Sequence, residues 1–386
     1  MRLLHVISDL GLGGAEVMLW RLATNPRLRV TATAVVSLTS EEGLGERMRA
    51  SGVTVHSLGM ERGRLSVRGL WRLSRIVQGF RPDVVQTWMY HSDLLGGVAA
   101  RLLTKARVIW AIHHTEFDPA TTKRTTYLTR SGCAALSRVV PFRIVCCSEA
   151  ARAVHVRLGY PADRVRVIPN GFDTTAFRPD EEARAEVRRE LGISDSAFVV
   201  GMVARVEPQK DHANFVAAAL RFLAKDPDAC LLLCGTGASW ENPLFASGIP
   251  PEARARFRLL GRREDVARID ASLDVATLSS SHGEAFPLAV GEAMACGKPC
   301  VVTDVGDSAF IVGDTGIVVP PRDPAALADG WSRIRALPPH ARNALGLEAR
   351  ARVLDLFSLE KVVELYSEVY EDAHRHPRWS RQLASR

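Results

Sequence analysis

Short apolar runs alternate with amphipathic stretches along almost the whole chain. The apolar runs are continuous, which is typical of parallel strands that are covered on both faces. The stretches between them have the residue spacing of helices that bury one side. This order predicts an α/β fold in which helices cover both faces of parallel sheets.

The first series of predicted elements occupies the N-terminal part of the chain. Its strands are predicted at Leu3–Ile7, Ala32–Leu38, Thr54–Ser57, Val84–Thr87, Val108–Ile112 and Phe142–Cys147. Helices are predicted between these strands at Glu16–Thr24, Leu44–Ser51, Val67–Phe80 and Ser92–Leu103.

A second series follows the segment Ile168-Pro169-Asn170-Gly171, where proline and glycine suggest a hinge. Its strands are predicted at Val199–Val203, Cys230–Cys234, Phe257–Leu260, Val275–Leu278, Cys300–Thr303 and Gly316–Val319. We therefore predict two doubly wound, Rossmann-like domains at residues 1–170 and 171–358, followed by a helix at residues 359–374 and a basic tail at residues 375–386. Open α/β sheets bind ligands beyond the carboxyl ends of their strands, so two such domains facing each other would form a central cleft lined by these loops.

Composition and charge narrow the possible partners. The formal charge is +7, from 50 basic and 43 acidic residues, which favours phosphates or a membrane face. Dense basic runs with interleaved aromatic residues are missing, so we expect no nucleic-acid partner.

The seven cysteines are odd in number, and several lie in strand-like runs, so a reduced cytoplasmic setting is expected rather than a disulfide framework. Cys296 and Cys300 have no second pair at metal-ligand spacing, which argues against a zinc site.

The N-terminus and the hydropathy of the chain bear on its location. The first apolar run is short and leads into a glycine-rich turn, unlike a signal peptide. Every apolar run is shorter than the roughly 18 residues that a membrane span needs. We therefore expect a cytoplasmic protein.

The first predicted strand leads into a glycine-rich turn that contains Gly11, Gly13 and Gly14 before Glu16. Backbone N–H groups at such a turn, together with the following helix dipole, can bind a phosphate or another ligand oxygen. The glycine spacing differs from the Gly-x-Gly-x-x-Gly pattern of dinucleotide-binding folds. A tight strand-to-helix turn without a ligand is the alternative interpretation.

Aromatic residues and histidines follow the fourth and fifth predicted strands. Trp88, Tyr90 and His91 could either line an acceptor pocket or pack in the core. His113 and His114 are adjacent, so we expect at least one of them to face the ligand. A histidine in this position can hydrogen-bond a sugar hydroxyl.

Cations follow the first strand of the second series. Arg205 and Lys210 lie on a loop that enters a helix at Asp211. Two cations here could neutralise a diphosphate, since arginine binds phosphate bidentately and lysine acts as a point charge. A solvated pair at a helix start is the alternative. Cations are mildly unfavourable near a helix N-terminus unless an anion binds, which favours the ligand-binding interpretation.

Two further loops of the second series are weaker candidates. Gly235-Thr236-Gly237 could approach a ligand closely, although an ordinary turn would use the same residues. Arg262, in the loop that follows the third strand, could lie at the edge of a nucleobase pocket.

The stretch from Ser281 to Gly297 gives the strongest prediction. A helix is expected to start near Pro287 and to stop at Gly297, which places Glu292 within an apolar helix. A carboxylate there is costly without a partner, and vicinal ribose hydroxyls are a suitable one. Glu284 is expected to be exposed just before the helix, next to free backbone N–H groups.

Taken together, these residues resemble the retaining glycosyltransferases of the GT-B fold that are called family 4, or glycosyl transferases group 1. The resemblance covers roughly residues 1 to 370. Its most specific element is the pair of glutamates Glu284 and Glu292, within Glu-Ala-Phe-Pro-Leu and Glu-Ala-Met-Ala-Cys-Gly-Lys-Pro. The segments Gly13-Gly14-Ala15-Glu16 and Ile168-Pro169-Asn170-Gly171-Phe172-Asp173 and the pair Arg205 and Lys210 also match.

The resemblance implies a role for each matching position. Arg205 and Lys210 would hold the donor diphosphate as it leaves, Glu292 would bind the donor ribose and Glu284 would contact the transferred sugar. His113, with His114 as second choice, would contact the donor sugar. Many members have glycine at the position of Pro287, whose lack of an N–H removes one backbone contact. The remaining predicted donor contacts are Gly14, Gly235, Arg262, Ala285, Phe286, Pro287 and Leu288, and the predicted acceptor contacts are Gly13, Gly14, His91 and His114.

The implied activity is transfer of a sugar from a UDP- or GDP-linked donor to a hydroxyl acceptor, with retention of configuration. The family generally needs no bound metal or other cofactor, and its last helix commonly returns to the first domain. Its acceptors are often lipid-linked or part of a growing surface polysaccharide. A sugar-nucleotide epimerase on the same fold, and a non-catalytic protein that binds sugar or membrane, are the alternatives.

Clusters of basic residues in the first domain raise the possibility of peripheral binding to the inner face of a membrane. Such residues can each contribute on the order of 1 kcal/mol near an anionic bilayer. Ordinary solvated arginines are the alternative interpretation. The clusters are Arg62, Arg64, Arg68 and Arg72, and Lys123, Arg124 and Arg130.

Overall fold

The computed structural model describes residues 1–61, 66–115 and 124–376. Two compact units form: an N-terminal unit of residues 1–171 with the final helix from Glu360, and a C-terminal unit of residues 172–359. The predicted basic positions Arg62, Arg64 and Lys123, and residues 377–386 of the predicted tail, lie outside the described residues.

The N-terminal unit is built on a seven-stranded parallel sheet. Its strands are β1 (Arg2–Ile7), β2 (Ala32–Ser37), β3 (Thr54–Ser57), β4 (Val84–Trp88), β5 (Arg107–Ile112), β6 (Arg143–Cys146) and β7 (Val165–Val167). The spatial order is β3-β2-β1-β4-β5-β6-β7, so the direction of winding reverses between β1 and β4. Every residue of β4 is buried, as expected for a central strand covered on both faces.

Helices connect these strands. They are α1 (Gly14–Ala23), α2 (Leu44–Ala50), α3 (Val67–Phe80), α4 (Tyr90–Ser92), α5 (Val98–Leu103), α6 (Arg124–Leu136) and α7 (Glu149–Arg157), with a π-helical turn at Asp93–Gly97 and a 3₁₀ turn at Ala162–Arg164. The single helix predicted at Ser92–Leu103 is therefore wrong in detail, because the π turn interrupts it. Asp93 is buried at the start of this turn and accepts a hydrogen bond from Thr87 Oγ1 at 2.5 Å.

The C-terminal unit has a six-stranded parallel sheet. Its strands are β8 (Val199–Val203), β9 (Cys230–Cys234), β10 (Phe257–Leu259), β11 (Val275–Leu278), β12 (Cys300–Thr303) and β13 (Ile317–Val319). The order β10-β9-β8-β11-β12-β13 repeats the winding of the first sheet, with its reversal between β8 and β11. All six predicted strands of this series are confirmed.

The helices of this unit follow the same alternation. They are α8 (Glu181–Glu190), α9 (His212–Leu223), α10 (Pro243–Gly248), α11 (Val266–Ser272), α12 (Leu288–Ala295), α13 (Ser308–Val312), α14 (Pro324–Ala336) and α15 (Pro339–Leu356). Trp331 of α14 is fully buried, packs against Phe215 and donates its indole N–H to Thr277 Oγ1 at 2.9 Å. Helices α9 and α14 therefore share one core with the sheet.

The final helix, α16 (Leu359–Arg375), is attached to the N-terminal unit. Its buried Tyr370 donates a hydrogen bond to Gln86 Oε1 of β4, and its Asp372 pairs with Arg143 of β6 at 3.3 Å. Among the helices that the structure describes, this one included, none combines the length and the apolar character that crossing a membrane requires.

The strand that the sequence prediction missed is β7. Its residues are only partly buried, and in the sequence valine alternates with arginine around Arg166. A strand at the edge of a sheet needs no continuous apolar run, because only part of its surface faces the core. The pattern that identified the central strands was therefore absent.

Candidate functional site

The two winding reversals determine where ligand-binding loops gather. In open α/β sheets, ligands bind beyond the carboxyl ends of the strands where the winding reverses. In the C-terminal unit these strands are β8 and β11, which lead into the loops that carry Lys210 and Glu284. In the N-terminal unit they are β1 and β4, which lead into Gly13 and His91.

Lys210 and Glu284 meet in a salt bridge in the C-terminal unit. The ammonium Nζ donates to Glu284 Oε1 at 2.5 Å, and the two side chains are 18% and 6% exposed. The expectation that Glu284 is exposed is therefore wrong. Glu284 is buried because its loop folds back over the carboxyl end of β11, where the lysine compensates the charge.

Backbone hydrogen bonds join the loops that carry this pair. Ser279 Oγ donates to Lys210 O at 2.9 Å, and Ser281 N donates to Gln209 O at 2.9 Å. Ser280 Oγ donates to Glu284 Oε1 at 2.6 Å. The serine run therefore fixes both members of the ion pair, a role that the sequence prediction did not assign to it.

The loop after β12 packs against the backbone of Glu284 and Ala285. Gly306 has φ +60°, and a Cβ atom there would collide with the carbonyl oxygen of Glu284. Asp307 N donates to Ala285 O at 3.0 Å, and Thr303 Oγ1 donates to Ser280 O at 2.7 Å. Sequence analysis missed these supporting residues, although a glycine after a strand was an available signal.

The helix predicted after Glu284 is present as α12, with Pro287 as its N-cap and Gly297, at φ +74°, just beyond its end. Leu288 is its first residue, and Glu292 is half-buried within it. This start and stop confirm the predicted helix.

Aromatic packing anchors α12. The ring of Phe286 is buried and stacks on Phe172 at 6.1 Å between centroids. A Cβ atom on Gly291 would overlap the same Phe172 ring. The Phe286 side chain therefore positions the helix, which leaves the backbone from Ala285 to Leu288 as the part suited to ligand contact.

The other predicted residues of this unit lie on separate loops. Arg205 is more than half exposed and pairs with Glu207 at 3.1 Å rather than with Glu284. Arg262 is also exposed and lies 3.5 Å from Glu264. Gly235 has φ +149°, and a Cβ there would collide with the carbonyl oxygen of Ala204, so this glycine permits close packing of two loops.

A buried acid that the prediction did not single out lies near α12. Asp270 of α11 is 1% exposed, and its Oδ2 atom has no hydrogen-bond partner among the described residues. Burial, reinforced by the negative charge of Glu292, raises the pKa of this carboxyl well above its ordinary value. A buried acid with a raised pKa therefore lies near a helix that carries a predicted ligand-binding carboxylate.

The glycine-rich turn of the N-terminal unit leads directly into a helix. Gly13 is the N-cap of α1, and Gly14 is its first residue. Ser8 Oγ and Ser92 Oγ lie 3.4 Å apart, which links the end of β1 with the start of the segment after β4. His91, a predicted acceptor contact, is half-buried in that segment.

His113 directly follows the end of β5. Its imidazole stacks on the ring of Trp88 with centroids 5.1 Å apart and planes 29° apart. Both ring nitrogens are buried and lack partners with hydrogen-bond geometry among the described residues, although the Asn170 side chain lies beside them. Burial lowers the pKa of His113 to about 4, so the imidazole is neutral at pH 7.

The neighbouring aromatic residues pack in the core rather than line a pocket. Trp88 and Tyr90 are almost completely buried. Tyr90 OH lies 2.6 Å from His155 Nε2, and its ring stacks on the same histidine. His114 is half-buried beside His113, so both adjacent histidines are partly covered.

These arrangements suit a particular ligand chemistry. The C-terminal unit presents the Lys210 ammonium, the exposed Arg205 guanidinium and the Glu292 carboxylate on loops and a helix that follow β8 and β11. This combination suits a diphosphate joined to a diol. The N-terminal unit presents a neutral imidazole whose ring nitrogens lie beside the Asn170 side chain. Within the described part of the chain, no group of three or more His, Cys, Asp or Glu residues is arranged to hold a metal ion.

Similarity to solved structures places the whole architecture in a known class. HepE from Anabaena, solved with UDP and also with UDP-glucose, aligns with a TM-score of 0.81 at 20% identity, covering 96% of this chain and all of that one. Sucrose-phosphate synthase from Thermosynechococcus elongatus aligns with a TM-score of 0.80 at 20% identity, covering 96% of this chain and 99% of that one. The fold is therefore the GT-B fold of glycosyltransferases.

Sequence relatives agree with this class. The Escherichia coli UDP-Gal:alpha-D-GlcNAc-diphosphoundecaprenol alpha-1,3-galactosyltransferase is 24% identical over 311 residues, 79% of each chain. The D-inositol 3-phosphate glycosyltransferase of Acidothermus cellulolyticus is 32% identical over 265 residues, which are 62% of this chain and 55% of that enzyme. The chain thus spans only about half the length of the latter relative.

Family profiles cover most of both units. Glycosyltransferase Family 4 matches residues 12–176, and Glycosyl transferases group 1 matches residues 197–336. The chain belongs to this group of GT-B-fold glycosyltransferases.

Proposed function

We propose that the chain transfers a hexose from a UDP-sugar to a hydroxyl group of a glycolipid or a growing surface polysaccharide, with retention of anomeric configuration. The observation that carries this proposal is the Lys210–Glu284 salt bridge where the winding of the C-terminal sheet reverses, directly before α12 and Glu292. Each part of the donor then has a partner of suitable chemistry.

The diphosphate is assigned to the cations. Lys210 supplies a compact positive charge from the loop after β8. The side chain of Arg205 is more than half exposed and supplies a planar guanidinium with several N–H donors. Together they neutralise the charge that develops on the leaving nucleotide. A metal ion is then unnecessary, so we expect turnover to persist in EDTA.

The sugar and the ribose are assigned to the two glutamates. Glu292 lies on α12 and binds the ribose hydroxyls, while Glu284, held by Lys210 and Ser280, contacts the transferred sugar. Backbone N–H groups of Ala285, Phe286 and Leu288 supply further donors, whereas Pro287 has none. Gly235 and Arg262 are assigned as further contacts with the donor.

The choice of UDP over GDP rests on the comparisons. HepE was solved with UDP and UDP-glucose, and the E. coli relative is named for a UDP-galactose donor and a diphosphoundecaprenol-linked acceptor. For this chain we assign donor-sugar contact to His113 and acceptor contact to Gly13, Gly14, His91 and His114.

The decisive experiment is acceptor-dependent release of nucleoside diphosphate. UDP-, GDP- and ADP-sugars are first compared by thermal shift, since a bound donor stabilises the folded chain. The donor that binds is then incubated with lipid-linked sugar acceptors, and the anomeric configuration of the product is read by NMR. An inverted product would refute retention, and sugar isomerisation without release of UDP would refute transfer.

The start of α3 supports peripheral binding to an anionic membrane. Val67 and Trp71 are 86% and 59% exposed, and Arg68 lies between them in the sequence. Arg75 lies over the Trp71 ring at 5.3 Å. Exposed tryptophan beside arginine is the combination that membrane interfaces favour.

Liposome co-sedimentation tests this surface. Binding to vesicles that contain phosphatidylglycerol, but not to pure phosphatidylcholine, is expected for the unmodified protein and is expected to fall in Trp71→Ser. Trp240→Ser is the matched control, because Trp240 is also exposed but belongs to the C-terminal unit. Equal binding of both variants would reject α3 as the docking surface.

A further inference from the structure

A stack of three rings in the N-terminal unit ends at His113. Trp88 at the end of β4 stacks with His113 and with Tyr366 of α16, with the Tyr366 centroid 6.3 Å away and its plane at 26°. Trp88 and Tyr366 are fully buried. The indole therefore stacks with both an imidazole and a phenol, all within the same unit.

The Trp88 ring is itself fixed in orientation. Its Nε1 atom donates to His5 Nδ1 of β1 at 3.2 Å. Burial lowers the pKa of His5 to about 3, so this histidine stays neutral and can accept the hydrogen bond. A fully buried indole that is held by a hydrogen bond at its edge and by two stacked rings has little freedom to rotate.

The residue after Trp88 contacts His113 as well. Met89 has φ +69° and ψ 161°, a conformation that non-glycine residues rarely adopt and that costs on the order of 1–3 kcal/mol. In this conformation Met89 Sδ accepts a hydrogen bond from His113 N at 3.4 Å, while Met89 N donates to Ala111 O at 2.9 Å. The backbone and the ring of His113 are thus both held from the end of β4.

These contacts do not involve the two ring nitrogens of His113, which lie beside the Asn170 side chain. The stack covers the face of the imidazole, and the thioether contacts the backbone, whereas the two ring nitrogens lie at the ring edge without hydrogen-bond geometry to any described residue. A neutral imidazole held in this way can offer one donor and one acceptor in a fixed plane.

We infer that Trp88, supported by Tyr366 and assisted by Met89, is a positioning residue that sets the plane of the His113 imidazole for contact with the donor sugar. This inference rests on the proposed function, in which His113 makes that contact. It also gives α16 a part in the site, since the outer ring of the stack comes from that helix. Geometry of this kind matters because a misplacement of about 1 Å can cost roughly a hundredfold in rate.

A double-mutant cycle tests the inference. Trp88→Leu removes the stacking ring and is expected to lower kcat by about ten- to a hundredfold, with the KM for donor changed much less. Trp88→Phe keeps an aromatic face and is expected to retain most of the rate. In a His113→Ala background, Trp88→Leu should cost almost nothing more, because Trp88 acts through His113. If Trp88→Leu lowers kcat in the His113→Ala background by the same factor as in the unmodified protein, the inference is overturned.

Matched controls separate positioning from folding. Tyr366→Phe keeps the ring and should lower kcat much less than Tyr366→Leu, which in turn should lower it by a smaller factor than Trp88→Leu. Trp110→Phe alters an equally buried tryptophan that packs against Tyr160 instead. If it lowers kcat as much as Trp88→Leu at equal thermal stability, the effect is general and the inference fails.

An NMR readout keeps the inference distinct from the proposed function. The His113 C2–H resonance, assigned with His113→Gln, should carry a ring-current shift that is lost in Trp88→Leu and kept in Tyr366→Phe. If that shift is present but His113→Ala is fully active, the assigned role of His113 in the proposed function fails while the stack stands. If the shift is absent, the positioning inference itself fails.

Discussion

The candidate ligand-binding regions of the two units use opposite electrostatics. In the C-terminal unit, Lys210 and Glu284 carry full charges that compensate each other at 2.5 Å. In the N-terminal unit, burial holds His113 neutral, and its ring nitrogens have no partner with hydrogen-bond geometry among the described residues. One region neutralises charge by pairing, and the other avoids charge altogether.

This difference suggests a division of labour between the units. A leaving diphosphate develops negative charge, so the region that binds it needs permanent cations. A sugar hydroxyl is neutral, and it is recognised well by a neutral donor and acceptor held in a fixed plane. The contrast can be tested by removing the cations of the C-terminal unit and by changing the pH to protonate His113 in the N-terminal unit.

The largest effect is expected from the cations of the C-terminal unit. Arg205→Ala combined with Lys210→Ala should lower turnover by about a thousandfold or more, since each removes stabilisation of the leaving diphosphate. The measurement is UDP release under saturating donor. Arg335→Ala is a control, because Arg335 pairs with Asp226 on the surface of the same unit. A loss of less than tenfold in the double variant would contradict the leaving-group assignment.

The next effect separates stability from catalysis within the ion pair. Lys210→Met leaves a buried carboxylate without its cation and should lower the free energy of unfolding by roughly 3 kcal/mol. Adding Glu284→Gln should recover most of that stability, because the uncompensated charge is gone, but it should not restore turnover. Urea unfolding and UDP release measure the two quantities. Recovery of turnover in the double variant would show that the pair is structural only.

Arg205 sharpens this comparison within one loop. Its side chain is more than half exposed and pairs only with a nearby glutamate in the described structure. Exposed salt bridges contribute about 0–1 kcal/mol to the free energy of unfolding. Arg205→Ala alone should therefore leave the free energy of unfolding almost unchanged while it lowers turnover.

The charged region was largely predictable from sequence, for a physical reason. Loops that follow buried strands of a parallel sheet meet at one edge, so the order of the strands already brings Lys210 and Glu284 together. The run of residues around α12 identified the helix and its limits. What could not be predicted was that Glu284 is buried, because that depends on Ser280 and on the loop at Gly306, which come together only in three dimensions.

The neutral region was less predictable. His113 was found by its place after a strand, but Trp88 remained ambiguous between lining a pocket and packing. Its role depends on stacking with Tyr366, which lies on the last helix, far away in the sequence. The edge strand β7 was missed for a related reason, since it lacks a continuous apolar run.

A smaller effect is expected from pH, chiefly in the N-terminal unit. Burial lowers the pKa of His5 to about 3 and that of His113 and His155 to about 4, against 6.5 for an exposed imidazole. Between pH 6.5 and 4 the unfolded chain therefore binds more protons, and stability falls as the pH falls. Each such histidine contributes a slope of up to about 1.4 kcal/mol per pH unit.

His113→Gln measures that contribution. The variant should show a shallower loss of unfolding free energy between pH 6.5 and 5 than the unmodified protein. In the unmodified protein, kcat should show no inflection near pH 6.5 from this residue, because the imidazole is already neutral. An inflection near 6.5 that disappears in His113→Gln would mean that the histidine titrates normally and is not held neutral by burial.

The smallest effect concerns Asp270, a buried acid of the C-terminal unit whose Oδ2 atom has no hydrogen-bond partner among the described residues. Its pKa is raised by burial, so the folded chain keeps a proton that the unfolded chain loses above about pH 4. Stability is therefore lost as the pH rises through that range, and Asp270→Asn should raise the free energy of unfolding at pH 7 by about 1 kcal/mol. The gain should vanish near pH 3.

Asp274 provides the opposite control from the same region. Burial alone would raise the pKa of Asp274, but Arg184 and Arg188 outweigh it and hold the pKa below its usual value, each with a guanidinium nitrogen 2.8 Å from the carboxylate. Its contribution to stability is present above the unfolded pKa and is lost as the pH falls below it, so Asp274→Asn should destabilise at pH 7 by roughly 3 kcal/mol. Two aspartates of one unit thus change stability in opposite directions, because, of the two, only Asp274 has guanidinium nitrogens within hydrogen-bond distance among the described residues. If Asp270→Asn also destabilised at pH 7, Asp270 would have to be ionised and paired in the folded protein, and charge pairing would extend throughout the C-terminal unit.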